Sequence, residues 1–212
     1  MAIMSRPIAT TLAIMALSAC ATTQSSWAGV ALFKDYLHDS PLAHYPQSVG
    51  YYPCPAPLGE NTLCRDGIDF ADVRFSAVLH FNNARLAQIT LTRDLHMESL
   101  GSIQAALSHS FTLLSLHAST SSLDLVELEQ MTPSDEAYTQ TLQYFERNGL
   151  KDEHLVYVYA EGIHLGTGAK NAKTAYTRTH EHDRLLEVVL SGGALDIAFS
   201  LPKLKTTVTA PH

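Results

Sequence analysis

Basic side chains are scarce in this 212-residue chain, where 14 Lys and Arg face 21 Asp and Glu. No run of Lys or Arg occurs. A duplex is gripped by basic patches that release counterions, so nucleic acid is disfavoured as a partner, and the same acidic field favours a cationic one. Cysteine is nearly absent, limited to Cys20, Cys54 and Cys64. The common catalytic signatures are missing as well: there is no G-x-S-x-G elbow, no H-E-x-x-H helix and no Walker loop. The chain therefore reads as a non-enzyme with no expected cofactor. With 46% hydrophobic and 17% charged residues it is nevertheless a folded chain, not a disordered one.

The first twenty residues, MAIMSRPIATTLAIMALSAC, place one base, Arg6, before an apolar stretch from Ile8 to Leu17. That is the layout of a signal peptide. The stretch is far shorter than the roughly 20 residues needed to cross a hydrocarbon core, so it is not itself the anchor. Leu17, Ser18, Ala19 and Cys20 match the lipobox position for position, and in this the chain resembles the bacterial lipoproteins. The resemblance implies cleavage after residue 19, with Cys20 receiving a diacylglycerol thioether and an N-acyl chain. Several acyl chains give stable membrane attachment where one gives only reversible binding. By the enterobacterial sorting rule, Ala21 in place of Asp implies the outer membrane, periplasmic face. The blander alternative is a secreted protein in which Cys20 merely follows the cleavage site.

Removal of residues 1–19 leaves 193, enough for one domain with a sizeable core. Arg6 goes with the signal, so 13 basic and 21 acidic side chains leave about −8. Residues 20–29 are small and polar and read as a flexible tether, residues 30–202 as a single α+β domain, and residues 203–212 as a polar tail. Once Cys20 is lipidated, Cys54 and Cys64 remain as an even pair in an oxidising compartment, the setting in which a disulfide forms. The bridge would close a loop carrying Pro55, Pro57 and Gly59.

Local patterns suggest a mainly antiparallel sheet built from two β-hairpins, with two amphipathic helices packed on one face. Residues 30–37 fit a helical turn or a strand. Residues 40–66, with five prolines and two glycines, read as irregular. Val73, Phe75, Ala77, Leu79 and Phe81 alternate with more polar neighbours, so residues 72–93 form the first hairpin, turning at residues 82–85. Leu100, Ile103, Leu107, Phe111 and Leu114 recur at helical spacing and predict a helix over residues 95–117. Residues 123–128 suggest a strand. Thr132 and Pro133 then suggest a helix start and Gly149 a left-handed stop, with Ala137, Tyr138, Thr141, Leu142 and Phe145 as the buried stripe. Residues 155–160 and 174–179 read as strands. Residues 185–190 pair with residues 194–201 through Gly192-Gly193, a primed turn. The two hairpins share an outline, either because hairpins in general look alike, or as related hairpins of one sheet, or as a decayed duplication.

Three features carry candidate chemistry. Gly162, Gly166, Gly168 and Lys170 form a glycine-rich loop, but it lacks the strand-to-helix setting of a phosphate cradle. His180 and His182 would lie side by side if their segment were extended, making them the best metal candidates. Two imidazoles do not close a zinc site, and a solvated turn is the competing account. Tyr51 and Tyr52 are candidate interface aromatics, whereas Tyr157 and Tyr159 fit a core better. The functional expectation is an outer-membrane-anchored periplasmic lipoprotein that binds an envelope protein or scaffolds the envelope. The alternatives are an inhibitor or immunity lipoprotein acting on a cationic cell-wall hydrolase, and a metal-binding protein using His180 and His182.

Overall fold

The computed structural model describes residues 29–204 apart from residues 57, 60 and 164–167. The signal, Cys20 and most of the tether therefore lie outside the described residues, as do Gly166 and residues 205–212 of the tail. The chain runs β1 (Ala31–Phe33), β2 (Tyr36–Leu37), β3 (Tyr52–Pro53), β4 (Thr62–Phe70), β5 (Val73–Asn82), β6 (Arg85–Asp94), α1 (Met97–Ser108), β7 (Phe111–Ala118) and β8 (Ser122–Asp124). It continues with α2 (Leu125–Met131), α3 (Asp135–Lys151), β9 (His154–Glu161), α4 (Ala172–Thr177), β10 (Leu185–Ser191) and β11 (Ala194–Ser200).

The α+β class with a mainly antiparallel sheet is what forms, but on a larger scale than two hairpins and two helices. Nine strands make one sheet in the order β3-β4-β5-β6-β11-β10-β9-β7-β8, and β1 and β2 form a separate ribbon. Three of its hairpins turn on two residues that both have positive φ: Ala71-Asp72, Asn83-Ala84 and Gly192-Gly193. Such primed turns match the twist of the strands they join. The two hairpins that looked alike are neighbours, because β6 pairs with β11 at the sheet centre. Each gains a third strand on its outer side, β4 against β5 and β9 against β10.

The apolar stripe of each strand faces the same side. Phe75, Ala77 and Leu79 of β5, Ile89 and Leu91 of β6, Ile197 and Phe199 of β11, Leu186 and Val188 of β10, and Tyr157 and Tyr159 of β9 are all buried in one cluster. Helix α1 covers this side through Leu100, Ile103 and Leu107. Its twelve residues span about 18 Å at ~1.5 Å each, close to the four strand spacings of ~4.8 Å separating β6 from β7. Helix α3 adds Tyr138, Leu142 and Phe145, half-buried on the same cluster, as the stripe predicted. The ribbon β1-β2 closes the other end, where Phe33 sits 4.9 Å from Phe199.

Helices occupy both faces, not one. On the opposite side Val126 of α2 and Ala175 of α4 pack with Leu114 and Ala160 in a second, smaller cluster. Several predicted elements change identity here for local reasons. Residues 95–117 divide into α1 and β7, because Ser108 and His109 both bond back to the Ala105 carbonyl and turn the chain. Of residues 123–128 only Leu123 and Asp124 are strand, at the end of β8, since the Asp124 carboxylate accepts from Glu127 N at 3.0 Å and starts α2. Residues 174–179 are not a strand either. Asn171 and Thr174 cap α4 reciprocally, and Lys203 donates to the Tyr176 and Thr179 carbonyls at its other end. Lys203 and Leu204, expected in the tail, are thus held by the domain, Leu204 packing on the core.

Helix α3 starts two residues later than Thr132 and Pro133 suggested. The Thr132 hydroxyl bonds to Leu128 O at the end of α2, leaving Ser134 to cap α3 by accepting from Ala137 N. Nor does Gly149 stop the helix. It lies inside α3, buried, where a Cβ would meet Leu155 Cδ1 at 2.7 Å, so close packing on β9 is what requires glycine. The left-handed residue is Glu153.

Candidate functional site

The disulfide Cys54–Cys64 is formed, with Cα atoms 5.0 Å apart. It lies where β3 pairs with β4, Tyr52 opposite Cys64, so residues 40–66 are less irregular than their prolines imply. The neighbouring tyrosines separate. Successive residues of an extended chain point to opposite faces, and Tyr51 turns inward while Tyr52 stays 38% exposed. Tyr51 donates to the Tyr36 hydroxyl, accepts from Arg65 Nη1 at 3.1 Å and packs edge-on against Tyr45. It is a core residue, which corrects its assignment to an interface. Tyr52 instead donates to Asp66 Oδ1 at 3.0 Å, and Ser76 Oγ donates to the same oxygen at 2.6 Å. These two bonds, Ser76 first, hold the Asp66 carboxyl below its ordinary range.

Tyr52, Asp66 and Ser76 belong to the side of the sheet that α1 and α3 leave alone. By register the same side carries Val78, His80, Gln88, Thr90, Thr92, Asp196, Ala198 and Glu187. Helices α2 and α4 reach only the β7-β9-β10 end of it. Ser76, Thr90, Thr92, Asp196 and Ala198 are half-exposed and Glu187 is exposed. Short side chains across four adjacent strands make a flat, polar surface, and His80 joins Thr90 Oγ1 at 3.3 Å within it. Burial pushes the His80 imidazole below its usual value. Register places Asp66, Asp69, Asp94, Asp196 and Glu187 on this side against Arg74 and Arg85, an acidic excess.

The edges of the sheet offer less. Strands β3 and β8 span two and three residues, and beyond β3 the strand β4 carries a bulge at Gly67 between Asp66 and Asp69. Short edges, bulges and charges are the devices that block strand addition.

His180 and His182 do not form a pair on a strand. They lie in an exposed turn closed by Asp183, whose carboxylate accepts from His180 N at 2.6 Å, and His182 faces Glu181 at 3.6 Å. Gly162 makes room for that turn, since a Cβ there would meet Asp183 Oδ2 at 2.6 Å. Among the described residues no group of three or more His, Cys, Asp or Glu is placed to hold a metal. One pairing escaped the sequence reading: Ser115 Oγ lies 3.0 Å from His117 Nε2 on β7. Residues two apart on a strand share a face, so the contact needs no catalytic explanation. Asp124, opposite Ser115, is already engaged by Glu127 N and Ala172 N.

A second polar group sits under the helices. Glu146 of α3 accepts from Tyr157, and burial raises its carboxyl above the ordinary range. Tyr157 and Tyr159 are pushed well above theirs, chiefly by desolvation and then by Glu146. Because protonation of Glu146 is easier in the folded chain, its contribution to stability is full below the usual carboxyl range and is lost as pH rises through the raised value. Glu146→Gln keeps an acceptor for Tyr157 without the charge. The variant should melt with the wild type near pH ~4 and above it at pH ~8, by of the order of 1 kcal/mol after screening by water. Thermal unfolding across that range checks it.

None of the protein-family models, curated proteins or solved structures compared with the chain matches it. Among the described residues no helix is long and apolar enough to cross a membrane.

Proposed function

We propose that the chain is an outer-membrane lipoprotein, held on the periplasmic face through lipid on Cys20, that binds an envelope protein or scaffolds envelope assembly. The observation that carries this reading is the flat polar face of β4, β5, β6, β11 and β10, left open on a sheet whose other side is covered and whose edges are blunted. An open face presented from a tether suits recognition of a large partner. The disulfide beside it suits an oxidising compartment. A photo-crosslinking residue at Thr90 or Asp196 should capture one partner in the host, and one at Tyr144, 65% exposed on α3, should not. Cys20→Ala should release the chain from the outer-membrane fraction. A soluble chain with Cys20 intact, or equal capture from all three positions, would overturn the reading.

The acidic excess of the same face favours a second reading, an inhibitor or immunity lipoprotein acting on a cationic cell-wall hydrolase. That complex would be one-to-one and would weaken steeply with salt. A scaffold held by shape and hydrogen bonds would not.

A further inference from the structure

Past the last β5-β6 pair, Ser76 with Thr92, the strands β4, β5, β6 and β11 frame a groove of about 590 Å³ whose wall includes Asp66, Arg74, Ser76, Thr92 and Asp94 from the open side and Arg93, which register places on the other. The bulge at Gly67 shapes it. Gly67 has φ +76°, and the Arg74 guanidinium crosses it so closely that a Cβ would meet Nη2 at 2.6 Å. Opposite charges gathered on a surface ordinarily pair with one another. Here neither arginine is within ion-pair distance of either aspartate. Arg93 is held by its Nε donating to the Asp94 carbonyl at 3.1 Å and by the Phe75 ring, 5.7 Å away. Asp66 is held through one oxygen by Tyr52 and Ser76. Neutral neighbours thus fix charges of both signs and leave the guanidinium forks and the second Asp66 oxygen unused.

We propose that this groove binds a free amino acid or short peptide as a zwitterion, its carboxylate on Arg74 and Arg93 and its ammonium group on Asp66 and Asp94. A guanidinium matches a carboxylate through paired N–H donors. A simple anion would meet the two aspartates and a simple cation the two arginines, so only a ligand carrying both charges satisfies the wall. The volume falls in the range of small-ligand pockets. This inference goes beyond the protein-binding reading and does not depend on it or on the lipid anchor.

Trialanine is the probe, titrated into the full-length chain by calorimetry with amide shifts followed by NMR. Saturable binding is expected, with shifts centred on Gly67, Ser76 and Thr92. N-acetyl-trialanine and trialanine amide should each bind at least about tenfold more weakly. Arg93→Ala and Asp94→Asn should each weaken the free peptide by a similar factor, with melting temperatures that show the fold intact. Arg74→Lys keeps the charge but loses the fork, and covers the case in which removal of Arg93 unfolds the chain. No saturation by ~10 mM, blocked peptides binding as well as free ones, or undiminished binding to a folded arginine variant would overturn the proposal.

Discussion

Phe199→Ala should cost about 3–5 kcal/mol of folding stability and lower the melting temperature by roughly 8–16 °C. Phe199 is 2% exposed on β11, at the middle of the nine-stranded sheet. Its ring lies 4.9 Å from Phe33 of the β1-β2 ribbon, 6.3 Å from Phe70 at the end of β4 and 6.4 Å from Phe111 at the start of β7. These three partners are distant in sequence; Phe33 and Phe70 also meet edge-on at 5.7 Å, whereas Phe111 joins them through Phe199. Truncation would remove dispersion contacts with all of them and leave a cavity that strands fixed in register on both sides cannot close. Phe199→Leu should recover part of the loss. Tyr144→Ala, at an exposed site on α3, should fall within about 0.5 kcal/mol of wild type. Guanidinium unfolding of the three variants is the measurement, and a Phe199→Ala loss below about 1.5 kcal/mol would mean the ribbon is not part of the cooperative core.

The centre of that core was readable in the sequence because period-two alternation is strong where one sheet face is buried and the other meets water. Phe75, Ala77 and Leu79 announce β5, and Leu185 to Leu190 with Gly192-Gly193 announce β10 and its turn. Strand β4 was missed for the opposite reason. Arg65, Asp66 and Asp69 interrupt it, Gly67 bulges it, and the prolines before it suggested a loop. Elements near junctions failed by inheritance of period: Phe111 and Leu114 continue the spacing of α1 although they stand on β7. In α4, threonine and tyrosine favour a strand in isolation, and only the capping of Asn171 with Thr174 and the distant Lys203 decide for a helix.

The candidate site was less legible than the fold. The even pair left after Cys20 joined Cys54 to Cys64, and Tyr51 and Tyr52 stood out together, but the sequence could not divide them, because that division depends on which side of β3 faces the core. The open polar face has no motif at all. It is composed of serine, threonine, alanine and acidic side chains at alternate positions of strands far apart in the chain, and these residues become a surface only when β6 meets β11. The pair His180 and His182 shows the converse: a motif that looked chemical dissolves once the segment is a turn.

Replacing both cysteines, Cys54→Ala with Cys64→Ala, should cost about 2–3 kcal/mol, the loop-closure entropy expected for a bridge spanning ten positions. A reducing agent should bring the wild type to the same melting temperature. Beyond that global loss, the largest structural consequence should be local. Cys64 is 5% exposed and faces Tyr52 across the β3-β4 pair, and β3 contributes only two residues to the sheet. Without the bridge little else holds β3 in place, and the Tyr52 donation to Asp66 should weaken with it. Hydrogen exchange should therefore accelerate most in β3 and the start of β4, while β9, β10 and β11 lose no more than the global amount of about 2–3 kcal/mol. Asp66 would then rely on Ser76 alone, and its carboxyl should titrate closer to the ordinary value, moving upward as one of the two bonds that depress it is lost. If β3 instead lost no more protection than the rest of the sheet, the bridge would be acting on the global unfolded state alone, and the acidic end of the open face would be no more sensitive to redox conditions than the core.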